Sequence, residues 1–154
     1  MSYDSINKQI YWIDYGSHRG HKKKISINFA YDNGTIVKKN RILSSQNELE
    51  KFQPHAIIID DFHRLLFWSD EATNVINIHN LDNLEQNIGQ LLTSNNDKPR
   101  ALALHSKFGL IFWVNIGSKI TIERSKMDGN ERKIVIVQDI KVNQIFVYIL
   151  QIEL

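Results

Sequence analysis

The chain has 154 residues, 42% of them hydrophobic, and a formal net charge of +2, a balance that suits one globular domain and excludes disorder and a nucleic-acid footprint. It contains no cysteine, which excludes a disulfide framework and thiolate metal ligation. Its longest apolar run, Ile145–Leu150, is six residues, far short of the roughly 20 a membrane-spanning helix needs, and the polar start MSYDSINKQ lacks the apolar core of a signal peptide.

Along the chain, the apolar segments read as short strands. Residues 3–9 look like the exit from an inner strand, and Ile10–Asp14 (IYWID) follow. A polar stretch at 17–24 (SHRGHKKK) precedes the turn Asp32-Asn33-Gly34. Residues 44–52 (SSQNELEKF) are the best helix candidate, two turns with a Ser cap. Pro54–Asp60, Leu66–Asp70 and the turn Leu81-Asp82-Asn83 come next. The last unit is the clearest: runs at 100–105, 109–115, 119–125 and 132–137, separated by Ser-Lys-Phe-Gly, Ile-Gly-Ser and Asp-Gly-Asn.

The segments repeat. Trp12, Trp68 and Trp113 each follow a bulky apolar pair, with 56 residues between the first two and 45 between the last two. Pro54 precedes Trp68 by 14 residues and Pro99 precedes Trp113 by the same 14. Matching the turn aspartates assigns six of the 11 extra residues in the first interval to the stretch around 17–24 and five to residues 40–52. Four short strands per 40–45 residues is the pattern of a β-propeller blade. The fold class is therefore all-β, with antiparallel four-stranded blades. Each Trp and its aromatic neighbour point to opposite faces of one strand, so together they fill both gaps between adjacent blades.

At these residues the sequence resembles the YWTD-type six-bladed propellers of the low-density-lipoprotein receptor family. Residues 98–137 carry most of the pattern: Pro99-Arg100-Ala101, the Gly109-led aromatic strand, Ile122-Glu123-Arg124 and the Met127-Asp128-Gly129 turn. Asn115 stands where the motif has Asp, and Ile116 where a second Trp is common. Residues 1–137 hold about three of six blades, and 138–154 form a diverged or truncated tail without the next motif strand. The resemblance implies a piece of a longer receptor on the extracellular face of the cell membrane, beside EGF-like or Cys-rich modules. Two half-rings that pair with each other are the alternative, because an uncovered blade face exposes several hundred Å² of roughly apolar surface.

Strand alternation puts the loops leading into each first strand and those joining the second to the third on one face. That face receives Arg100, His55 and Lys98 from the former, and Asp14, Asp70, Glu71 and Asn115 from the latter. The resemblance implies that protein ligands bind there. The same carboxylates can instead bond backbone amides at β-turns, and Arg100 can serve an internal ion pair. A basic patch, His18, Arg19, His21, Lys22, Lys23 and Lys24, would attract an acidic partner or stand as a solvated loop. His18, His21 and His55 share this face, so the ligand release on acidification implied by the resemblance has candidate groups. His63, His79 and His105 decorate strand ends. No spacing suits a metal site. Asn33-Gly34-Thr35 is the one N-glycosylation sequon, and Asn-Gly is equally a hairpin turn.

No cofactor, nucleophile elbow or phosphate loop is expected, and only Asp60 and His105 stand at inner-strand ends where a calcium-dependent propeller hydrolase needs converging ligands. The sequence favours a non-catalytic ligand-binding propeller module of a receptor. A nidogen-type matrix propeller is the second reading, and a hydrolase the third.

Overall fold

The structure, a computed structural model, describes residues 1–16, 25–33, 40–44, 52–91 and 97–137. The helix candidate at 44–52 lies mostly outside the described residues, as do the basic stretch 17–24 and the tail 138–154. Alternating apolar and polar residues, broken by turn residues, give twelve described strands in three antiparallel sheets of four. Blade 1 holds β1 (Ser2–Asp4), β2 (Gln9–Asp14), β3 (Ser26–Tyr31) and β4 (Asn40–Ser44). Blade 2 holds β5 (Pro54–Asp60), β6 (Leu65–Asp70), β7 (Val75–Asn80) and β8 (Asn87–Leu91). Blade 3 holds β9 (Pro99–His105), β10 (Leu110–Ile116), β11 (Ile120–Lys126) and β12 (Lys133–Val137). Within each blade the strands pair in sequence order, so every blade is a meander. About half of a six-bladed propeller is thus present.

Pairing register corrects one piece of sequence arithmetic. Gln9 faces Tyr31, Leu65 faces Asn80 and Leu110 faces Lys126. Asp32 therefore matches Leu81 and Met127, not Asp82 and Asp128. Backbone bonds agree, since Asp32 N–H donates to Lys8 O at 2.9 Å as Leu81 does to Arg64 O at 2.9 Å and Met127 to Gly109 O at 2.9 Å. The first insertion, between β2 and β3, is one residue longer than the turn aspartates suggested, and the second one shorter.

The aromatic strands do what their alternation predicts. Trp68 turns to blade 1, where it packs with Tyr11, Ile27, Leu66 and Leu81. Phe67, its neighbour, turns to blade 3 and joins Ile76, Ile78, Ile111 and Trp113. Burial of each such ring contributes roughly 2–3 kcal/mol. Polar staples reinforce the seams. Arg64 forks onto both oxygens of fully buried Asp4 at 2.9 Å and 2.9 Å, tying blade 2 to blade 1. Ser69 Oγ accepts from Ala56 N–H at 3.1 Å and donates to Arg100 O at 2.9 Å, tying blade 2 to blade 3.

Turns between first and second strands close through one left-handed residue each: Lys8 (φ 56°), Arg64 (φ 57°) and Gly109 (φ 61°). Only blade 3 uses the glycine that this geometry favours, so Lys8 and Arg64 carry a strain of roughly 1 kcal/mol each.

Candidate functional site

Strand direction brings the lead-in to each inner strand and the turn after each aromatic strand to one end of the blades. One side chain per blade organises that end. Asp14 Oδ1 accepts the Gly16 amide at 2.9 Å. Asp70 Oδ1 accepts Ala72 N–H at 2.9 Å and reaches across the blade to Gln53 N–H at 3.1 Å. Asn115 Oδ1 repeats this in blade 3, accepting Gly117 N–H at 3.1 Å and Lys98 N–H at 2.8 Å. Asp70 and Asn115 are buried; their oxygens hold the loop backbone, the turn-capping alternative that the sequence left open.

The motif departure at Asn115 has a local cause. Its Nδ2 donates to Asp97 Oδ1 at 2.6 Å and to Glu123 Oε1 at 2.8 Å. An aspartate there would set a third carboxylate beside two, with no proton to offer either. Arg132 completes the cluster, forking onto Asp97 at 2.8 Å and 2.7 Å and donating Nε–H to Glu123 Oε2 at 2.7 Å. Its guanidinium lies 5.5 Å from the Trp113 ring centre. Hydrogen bonding to Asp97, only partly opposed by burial, raises the Arg132 pKa above its ordinary value, with Glu123 adding to the shift. Sequence reasoning assigned no role to Asp97, Glu123 or Arg132. The signal was the Asn115 replacement itself.

Around this frame stand the side chains open to solvent. Arg100 is used internally: its Nη2 donates to Glu71 Oε1 at 3.1 Å and its Nη1 to Pro99 O at 3.0 Å. Its side chain keeps 11% exposure against 50% for Glu71, so Glu71 is the accessible partner of the pair. His55, Lys98, Ser118 and Lys119 are exposed on the same end. Tyr15 is 45% exposed, and its hydroxyl donates to Pro54 O at 3.2 Å, bridging blades 1 and 2. The connection holding His18, Arg19, His21, Lys22, Lys23 and Lys24 leaves and rejoins the sheet at this end, between Asp14 and Ser26.

The histidines divide differently from the expectation. His63 and His105 follow or close inner strands, His63 Nδ1 lying 2.7 Å from Asp60 Oδ2. His79 is a correction: it is buried within β7 at 4% exposure, because Leu66 faces it across the sheet and Trp68 lies beside it on the blade 1 seam. Its Nδ1 donates to Leu84 O at 3.1 Å. Burial pushes its pKa down, partly offset by that carbonyl. Asp60 caps the amides of Phe62 and His63 at 3.1 Å each. Among the described residues no group of three or more His, Asp or Glu could hold a metal ion.

The opposite end differs in character. Turns there expose Ile6, Phe62 and Phe108, one per blade, at 60%, 76% and 66%. Apolar periodicity gave no warning of these, since each lies in a turn between strands.

No protein-family model matches the chain. It is 36% identical over 137 residues to low-density lipoprotein receptor-related protein 5 of Mus musculus, a match covering 88% of this chain and 8% of that protein. Protein cueball of Drosophila yakuba is 23% identical over 88% of the chain, which spans 20% of its length. Among solved structures, one from a nidogen/laminin complex superposes with a TM-score of 0.72 at 24% identity, covering 90% of this chain and 48% of that one.

Proposed function

The chain is a partial β-propeller of the YWTD type, homologous to low-density lipoprotein receptor-related protein 5, and from that premise we propose that it is a non-catalytic module of a cell-surface receptor that binds protein ligands on the loop end carrying Glu71 and Lys98. The observation that carries this reading is the division of labour at that end. Asp70 and Asn115 hold the loops from within, and Glu71, His55, Lys98 and Lys119 stand exposed around them, where a partner can reach them. Solvent-facing charges of both signs suit a polar protein surface. The basic residues of 18–24 lie outside the described residues, but the connection they belong to starts after Asp14 and ends before Ser26, and their charge favours an acidic partner. Neighbouring EGF-like or Cys-rich modules complete the receptor in this proposal, whose extracellular placement follows the homology.

A matrix role is the second reading, favoured by the likeness in fold to the nidogen chain solved with laminin. Both readings are tested on one panel of purified extracellular proteins that includes laminin fragments. Binding by the chain should weaken about tenfold, roughly 1.4 kcal/mol, when Glu71→Lys, Lys98→Glu and Lys119→Glu are combined. Lys107→Glu, at the other end of the blades, should leave it unchanged. Binding that survives the triple change but is lost with Lys107→Glu refutes the assignment of the loop end, and laminin as the partner selects the matrix role.

A further inference from the structure

We propose that Asn33 is an N-glycosylation site and that its glycan stands on the end of the blades away from the partner-binding loops. Asn33-Gly34-Thr35 satisfies the acceptor sequon, with a residue other than proline in the middle. A sequon alone does not make a site; the folded chain must also leave room for a bulky, hydrated substituent. Asn33 meets that condition. It follows β3 by two residues and is exposed. Its matching positions in the other blades, set by the strand register, are also exposed: Asp82 and Asp128. The fold therefore turns this position to solvent in every blade. Next to it, Tyr3 and Tyr31 are 43% and 40% exposed, so among the described residues a sugar would meet open ring surface.

Orientation adds the functional content. β3 begins at Ser26, opposite Asp14 at the loop end, and finishes at Tyr31, opposite Gln9 at the other end. A glycan on Asn33 hence leaves Glu71, His55 and Lys98 uncovered and shields the blade 1 side of the end that exposes Ile6. In the reaction, Asn33 Nδ2 bonds to C1 of the first N-acetylglucosamine of a lipid-pyrophosphate-linked oligosaccharide. The C1–O bond to the pyrophosphate breaks, the lipid pyrophosphate departs, and the amide nitrogen gives one proton to a base of the transferase. No oxidation or reduction occurs.

The inference rests on the extracellular reading above. Its test fuses the full chain to a heterologous signal peptide in a eukaryotic cell and maps carbohydrate by peptide mass spectrometry before and after peptide-N-glycosidase. Secreted and intracellular pools are both mapped, because transfer precedes export and so does not depend on folding yield. The expected result is one glycan at Asn33, absent from both Asn33→Gln and Thr35→Ala. Recovery of Asn33 unmodified, or merely deamidated, in both pools overturns the proposal. Because the added signal peptide supplies the compartment, that result counts against the site and leaves the extracellular reading to the partner-binding panel.

Discussion

At the scale of single residues, the loop end is governed by hydrogen-bond valence. An aspartate side chain accepts only, and that suffices in blade 2, where Asp70 receives the amides of Gln53 and Ala72. Blade 3 places Asp97 and Glu123 against the same position, so a side chain that both accepts and donates is required. Asn115→Asp should destabilise the chain by about 2–3 kcal/mol at neutral pH, the worth of lost hydrogen bonds to charged groups. Urea unfolding of the variant beside the parent chain at pH 7 measures the loss. Asn115 was legible in the sequence as an anomaly, whereas its partners were not. Asp97 and Arg132 lie 35 residues apart, and only the completed blade brings them to 2.7 Å.

At the scale of strands and seams, the sequence was most informative. The Pro and Trp spacings and the turn residues between the runs located each strand of blade 3 to within one residue, because a repeat marks where its strands start and stop. His79 escaped that logic. Its strand, Val75–Asn80, is buried on both faces, so alternation cannot say whether a polar member points to water. The structure gives it a titration role in stability. With its pKa below the ordinary value of about 6.5, the folded chain refuses a proton that the unfolded chain accepts. Stability is thus complete above about pH 6.5 and declines as pH falls from there toward the depressed folded value. His79→Asn should flatten the slope of melting temperature against pH between about 7.5 and 5. An unchanged slope would show that the buried imidazole is not what the acid reaches.

At the scale of the molecule, stability is a chain of nearest-neighbour terms, since each blade meets only the next. Trp68 belongs to the seam between blades 1 and 2, and Trp113 to that between blades 2 and 3. Trp68→Ala should cost about 3–5 kcal/mol. In hydrogen exchange, amides of β2 and β6 should lose more protection than those of β11. Uniform loss across all three blades would mean one indivisible cooperative unit. Among the described residues the Trp68 and Trp113 indole N–H groups have no hydrogen-bond partner, so Trp68→Phe sacrifices packing alone and should cost much less. Blade count and seam chemistry followed from repeats. The end-to-end contrast between a charged loop platform and exposed Ile6, Phe62 and Phe108 did not, because strand alternation says nothing about which way a turn residue points.

The Asn115 cluster also constrains how this blade can change by inheritance. Asn115, Asp97, Glu123 and Arg132 form one closed circuit of charge, so no member can be exchanged alone without leaving a buried group unmatched. An exchange between Asn and Asp at this position costs less once a neighbouring carboxylate has changed. The order of substitutions, and not merely their identity, is written into the packing of blade 3.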